Sequence, residues 1–140
     1  EITGYRNVPL TYNGILNFAK KRNPFNHMTV MFKKQAVQSV GGYMDMPYFE
    51  DYWLWTRMLK AGYKVKNIDQ VLVKVRAGQD MIARRGGLNY AKCIIRFERA
   101  LHKIGIINLA EMIGYITLRS VVSVMPESLR LWIYRWKLRK

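Results

Sequence analysis

Along the chain, apolar and polar positions change their spacing several times, and each change predicts an element boundary. The first 25 residues mix Gly4, Pro9, Gly14 and Pro24 with basic side chains, and Lys20-Lys21-Arg22 precedes Asn23-Pro24. Glycine and proline at that density predict a loop, broken by one short helix near residues 15–20. The run at 27–32, HMTVMF, is apolar and partly β-branched, which predicts a buried strand. Residues 33–40 predict a short helix closed by Gly41-Gly42, because glycine takes the left-handed backbone of a helix end without strain.

A longer helical stripe follows at 50–61, where Leu54, Met58 and Ala61 share a face, Trp55 and Leu59 lie beside it, and Gly62 stops the helix. Its first turn is acidic, Glu50 and Asp51, as the helix dipole favours. Residues 71–75, VLVKV, predict a second strand, and 77–87 a polar loop. Three helical stretches follow, at about 88–103, 109–124 and 126–140, with no internal repeat and no low-complexity segment. The order is strands and helices first, then helices only.

Composition narrows this picture. A chain of 140 residues, half of them hydrophobic, fits one domain with a real core. The single cysteine, Cys93, excludes an internal disulfide and a multi-cysteine zinc site, and its apolar surroundings predict a buried thiol in a reducing compartment. Residue 1 is Glu and no charged-then-apolar leader follows, so the sequence reads as one that begins mid-chain. The net charge of +15 attracts polyanions, which include nucleic acid, anionic lipid and a nucleotide diphosphate.

The chemistry concentrates between Asn23 and Arg76. Asn23-Pro24, His27, an apolar run, a basic helix, Gly41-Gly42-Tyr43, then Glu50-Asp51-Tyr52-Trp53-Leu54-Trp55, Gly62-Tyr63-Lys64 and a strand ending at Arg76 follow in order. This combination resembles bacterial family 2 glycosyltransferases of the GT-A type, especially those building capsule and exopolysaccharide. The resemblance implies an α/β fold class: the carboxyl-terminal part of a GT-A, nucleotide-diphospho-sugar transferase fold over 1–87, then an all-helical extension with a basic amphipathic tail over 88–140. It implies inverting transfer of a sugar from a nucleotide-diphosphate donor to a hydroxyl of a saccharide or lipid-linked acceptor, in cell-surface polysaccharide synthesis.

Carried over by position, Asp51 is the catalytic base and Glu50 its neighbour. Backbone amides at a helix start hold and orient such a carboxylate. Gly41 and Gly42 would let the chain approach a sugar closely, Tyr43 would stack on it, and His27 and Trp55 would line the acceptor side. Arg76, Arg84 and Arg85 would face the leaving diphosphate with planar donors. Plainer roles stay open: a helix cap for the glycines, a structural His27, solvated arginines, and an acidic pair that only complements the dipole. Family members also carry an Asp-x-Asp motif that holds a divalent ion, Mg or Mn, and no such motif occurs among the nine acidic residues here. The metal is thus expected in the full-length enzyme and not on this chain, which alone is expected to be inactive. A family histidine after the second strand is likewise replaced, by Ala77-Gly78-Gln79.

At the chain end, Arg130, Arg135, Lys137, Arg139 and Lys140 alternate with Leu129, Leu131, Trp132, Ile133, Tyr134, Trp136 and Leu138. Tryptophan, tyrosine and cations together suit the lipid headgroup region, which predicts a cytoplasmic chain lying peripherally on the inner face of the plasma membrane. The run 104–124 is long enough for a span, but Asn108, Glu111 and Arg119 interrupt it. A core-facing stripe with a solvated basic face is the plainer reading. The rival function is a basic membrane-surface or nucleic-acid-binding module without catalysis. Lys and Arg are spread along the chain with no recognisable nucleic-acid motif, so no specific nucleic acid is expected.

Overall fold

The computed structural model describes residues 5–75, 85–126, 128–130 and 132. Among the described residues its helices include α1 (Tyr12–Ala19), α2 (Lys34–Ser39), α3 (Glu50–Lys60), α4 (Leu88–Lys103) and α5 (Leu109–Val124), with a 3-10 turn at His27–Thr29. Helix α1 begins earlier than its apolar spacing suggests because Thr11 caps it, its hydroxyl accepting from the Gly14 N–H at 3.2 Å. Helix α2 ends at Gly41 and Gly42, both at positive φ, as expected.

Helix α3 is the centre of the molecule. From Tyr52 to Leu59 every residue except Arg57 is buried, which is the pattern of a helix packed on all sides rather than on one. Leu54, Trp55, Met58 and Leu59 join Ile15, Ala19, Phe25, Ala36 and Val37 in one core. Phe49, Tyr52 and Trp53 join Met46, Ile94, Phe97, Leu101 and Ile107 in a second. Thr56 is buried between them and spends its hydroxyl on the carbonyls of Tyr52 and Trp53 at 3.1 and 3.0 Å.

Helices α4 and α5 pack against each other across the turn at Gly105. Asn108 and Glu111 start α5 with a reciprocal capping box, each side chain accepting from the other's backbone N–H at 2.8 Å. Glu98 of α4 is buried and bonds Arg119 of α5 at 2.5 Å; Arg119 also reaches the Lys21 carbonyl, tying the pair to the amino-terminal segment. Cys93 is half-buried beside the second core rather than fully enclosed.

The strands expected at 27–32 and 71–75 are not formed among the described residues, which are helical or irregular. At 27–32 the chain closes on itself instead: the Thr29 N–H and hydroxyl both donate to the Asn26 carbonyl at 2.9 Å. A strand also needs a neighbour for its ladder, and no described segment supplies one. The run is not buried either, Met31 being 97 % exposed. Val71, Leu72, Val73 and Val75 are exposed as well, on irregular backbone.

Among the described residues, no helix is long and apolar enough to cross a membrane. Most of the expected helix 126–140 lies outside the described residues. Arg130, expected on a solvated basic face, is instead only 6 % exposed and donates to the Ser123 carbonyl at 3.3 Å. Its guanidinium occupies the space above Gly86, where any Cβ would collide with it.

Candidate active site

The site is built on the start of α3. Proline at position 24, fully buried, disfavours helical backbone at Asn23 and leads the chain past that helix end. The Asn23 side-chain amide donates to Asp51 Oδ2 at 2.8 Å, and the Tyr52 N–H donates to Asp51 Oδ1 at 2.7 Å. Asp51 is half-buried and its neighbour Glu50 is exposed, so the two acids of the pair occupy different surroundings. Two N–H donors fix the plane of the Asp51 carboxylate and leave each oxygen with lone pairs to spare.

Around this carboxylate stand groups from four parts of the chain. The Tyr43 hydroxyl and His27 Nε2 lie 2.9 Å apart, with their rings 5.6 Å centre to centre. Tyr43 is 47 % exposed, and its hydroxyl is held above the usual tyrosine range first by burial and then by the charge of Asp51. Arg6 donates to the Asn23 carbonyl at 2.5 Å and to the Asn26 side chain. Burial lowers the Arg6 pKa, Arg22 and Arg85 add to that, and Asp51 opposes it, so these four charges share one neighbourhood.

The loop carrying Gly41, Gly42 and Tyr43 is clamped by Arg57. This side chain donates to the Val40 carbonyl and, at 2.6 Å, to that of Gly42, with its guanidinium carbon 5.4 Å from the centre of the Trp53 ring. Trp55 sits below as a core residue, 3 % exposed, edge-on to Phe25 and His27. It therefore supports the floor under His27 rather than offering a face to a sugar. Arg85 is exposed, and Arg76 and Arg84 lie outside the described residues.

Sequence reasoning missed part of this arrangement. Asn23-Pro24 opened the ordered pattern, but the bond from Asn23 to Asp51 was not foreseen. Arg6 lies in a loop with no motif. Tyr48 adopts positive φ, uncommon for a residue with a side chain, and leaves its ring 53 % exposed, edge-on to Tyr90, two positions before Glu50. Nothing in a sequence marks a non-glycine residue for that backbone.

Among the described residues, no three His, Cys, Asp or Glu side chains converge closely enough to hold a metal ion.

Comparison with known proteins adds what geometry cannot. The chain is 39 % identical over all 140 residues to an uncharacterized glycosyltransferase of Haemophilus influenzae. It is 40 % identical over 132 residues to the amylovoran biosynthesis glycosyltransferase of Erwinia amylovora, and 38 % over 128 residues to an Escherichia coli galactosyltransferase. These relatives are named glycosyltransferases. The E. coli protein is named for moving galactose from UDP-galactose to GlcNAc-diphosphoundecaprenol in a β-1,3 linkage. These matches take in 100, 92 and 91 % of this chain but only 52, 48 and 46 % of the relatives, so the chain spans about half their length. No family model and no solved structure matches it.

Proposed function

We propose that this chain is the base-bearing part of an inverting glycosyltransferase, of family 2 and GT-A type, that transfers a sugar from a nucleotide-diphosphate donor to a lipid-linked or saccharide acceptor. The observation that carries it is Asp51, set at the start of a buried helix with its carboxylate held by two N–H donors beside the Tyr43–His27 pair. The names of the relatives support the reaction class, and the matching of half their length supports a chain that works as one part of a longer transferase. The exposed apolar runs at 28–32 and 68–75 support it too, since a complete fold covers such surface.

In this reading an Asp51 oxygen takes the proton of the acceptor hydroxyl while that oxygen attacks the anomeric carbon. The bond from that carbon to the donor diphosphate breaks, and its electron pair leaves on the diphosphate. Arg85, together with Arg76, Arg84 and Arg6, offers positive charge to that leaving group. Residues 1–87 form the acceptor and base side and 88–140 the helical extension. The rest of the longer protein binds the sugar nucleotide and its Mg or Mn ion. The extension and basic tail keep the enzyme at the inner face of the plasma membrane, where a lipid-linked acceptor is presented.

The test is Asp51→Asn in the complete transferase, assayed with UDP-galactose and a GlcNAc-diphospho-lipid, the pair named for the E. coli relative. Asparagine keeps the size of the side chain but cannot accept the proton, so turnover should fall at least roughly a hundredfold while donor affinity and melting temperature hold. Retention of more than about a tenth of turnover would leave Asp51 a helix cap, because a lost base costs roughly a hundredfold or more. Failure of the unaltered enzyme to transfer sugar from any nucleotide-diphosphate donor to lipid-linked or saccharide acceptors would overturn the proposed reaction.

A further inference from the structure

We infer that Asn23 is a positioning residue for the Asp51 base, aiming its carboxylate through one hydrogen bond from a loop that lies 28 residues earlier in the chain. The inference rests on the catalytic reading of Asp51 and adds to it the group that sets the direction of proton transfer.

Asparagine has one donor end and one acceptor end, and here the partners decide which is which. Its Oδ1 takes the Phe25 N–H at 3.2 Å, and a backbone N–H can only donate. The amide nitrogen is thereby turned toward Asp51, which it meets at 2.8 Å. The backbone at Asn23 is constrained as well: Arg6 holds its carbonyl at 2.5 Å, and the following Pro24 is buried and disfavours helical backbone before it. The other donor to Asp51, the Tyr52 N–H, belongs to the adjacent residue of the same helix turn, so the Asn23 bond is what ties the carboxylate to a separate part of the chain. A donor fixed on another segment sets the direction of the carboxylate it meets. Misplacement by about 1 Å can cost roughly a hundredfold in rate, so this one contact is large enough to matter.

Asn23→Asp separates the two ends of the side chain. Aspartate still accepts the Phe25 N–H and so keeps the turn, but it puts an acceptor where Asp51 needs a donor. Asn23→Ala removes both ends. In the complete transferase, assayed with UDP-galactose and a GlcNAc-diphospho-lipid, Asn23→Asp should lower kcat by roughly ten- to a hundredfold, leaving the donor KM and melting temperature near the unaltered values. The side-chain amide resonances of Asn23, assigned by nitrogen-15 NMR, should shift when Asp51 becomes Asn. An unchanged kcat in Asn23→Asp overturns the inference. So does a loss in which kcat, donor KM and melting temperature fail together in both variants, since that is the mark of a turn and not of an aimed base. Asp51→Asn is run alongside: if it keeps its turnover the catalytic reading falls, whereas if it loses turnover and Asn23→Asp does not, only the role of Asn23 falls.

Discussion

Glu98 has no solvent exposure, one oxygen on Arg119 and the other without a hydrogen-bond partner among the described residues. Burial holds its carboxyl above the usual range, with Arg119 pulling the other way. An acid that keeps its proton to higher pH when folded binds more protons in the native than in the unfolded state. Stability therefore falls as pH rises from about 4.3, the ordinary glutamate value, through the raised native value. Glu98→Gln should flatten that part of the profile, because its carbonyl still accepts from Arg119 without the buried charge. Thermal melts from acid to neutral pH check this, and an unchanged slope in the variant would assign the trend to other groups. Glu98 was partly legible in the sequence, sharing a helical face with Ile94 and Leu101. Its partner was not, because Arg119 belongs to another helix and no local spacing links the two.

At the scale of elements, α3 draws its stability from burial more than from its own sequence. Leu54 is fully enclosed against residues of α1 and α2, so Leu54→Ala should cost about 2–5 kcal/mol through lost transfer energy and the cavity left behind. Urea unfolding of the two forms measures it. A loss within about 0.5 kcal/mol, usual for surface sites, would place Leu54 outside the core. The same element explains what could be read in advance. Its start at Glu50 and its stop at Gly62 are local signals, and the structure follows both. The strand readings at 27–32 and 71–75 failed because a ladder depends on a partner far away in sequence. A β-branched composition describes a tendency to extend, and 71–75 is irregular and unpaired among the described residues.

For the whole molecule, the excess of Lys and Arg and the aromatic residues at the chain end set an expectation about surfaces. Removing residues 131–140 should weaken co-sedimentation with anionic vesicles, and salt should weaken that of the intact chain, since polybasic attraction is screened. The cut falls after Arg130 so that its contact with Ser123 is kept. Equal pelleting of both forms would assign the tail to the fold. The candidate site was legible at this scale only in part. Asp51, His27 and Tyr43 were found as members of an ordered pattern, and the structure brings His27 and Tyr43 into contact. Asn23 opened that pattern too, but its bond to Asp51, like the bond from Arg6 to its carbonyl, appears only once the loop has passed the start of α3.

Helix α3 serves two cores at once, and Asp51 stands at its first turn. Heat, denaturant or an inherited core substitution that loosens either half will reach the same helix, so neither half can soften without disturbing the carboxylate. If the proposed base role of Asp51 holds, robustness and turnover of the longer transferase are not independent traits. Selection that preserves the one also guards the other, and the tolerance for drift in residues far from Asp51 is correspondingly narrow.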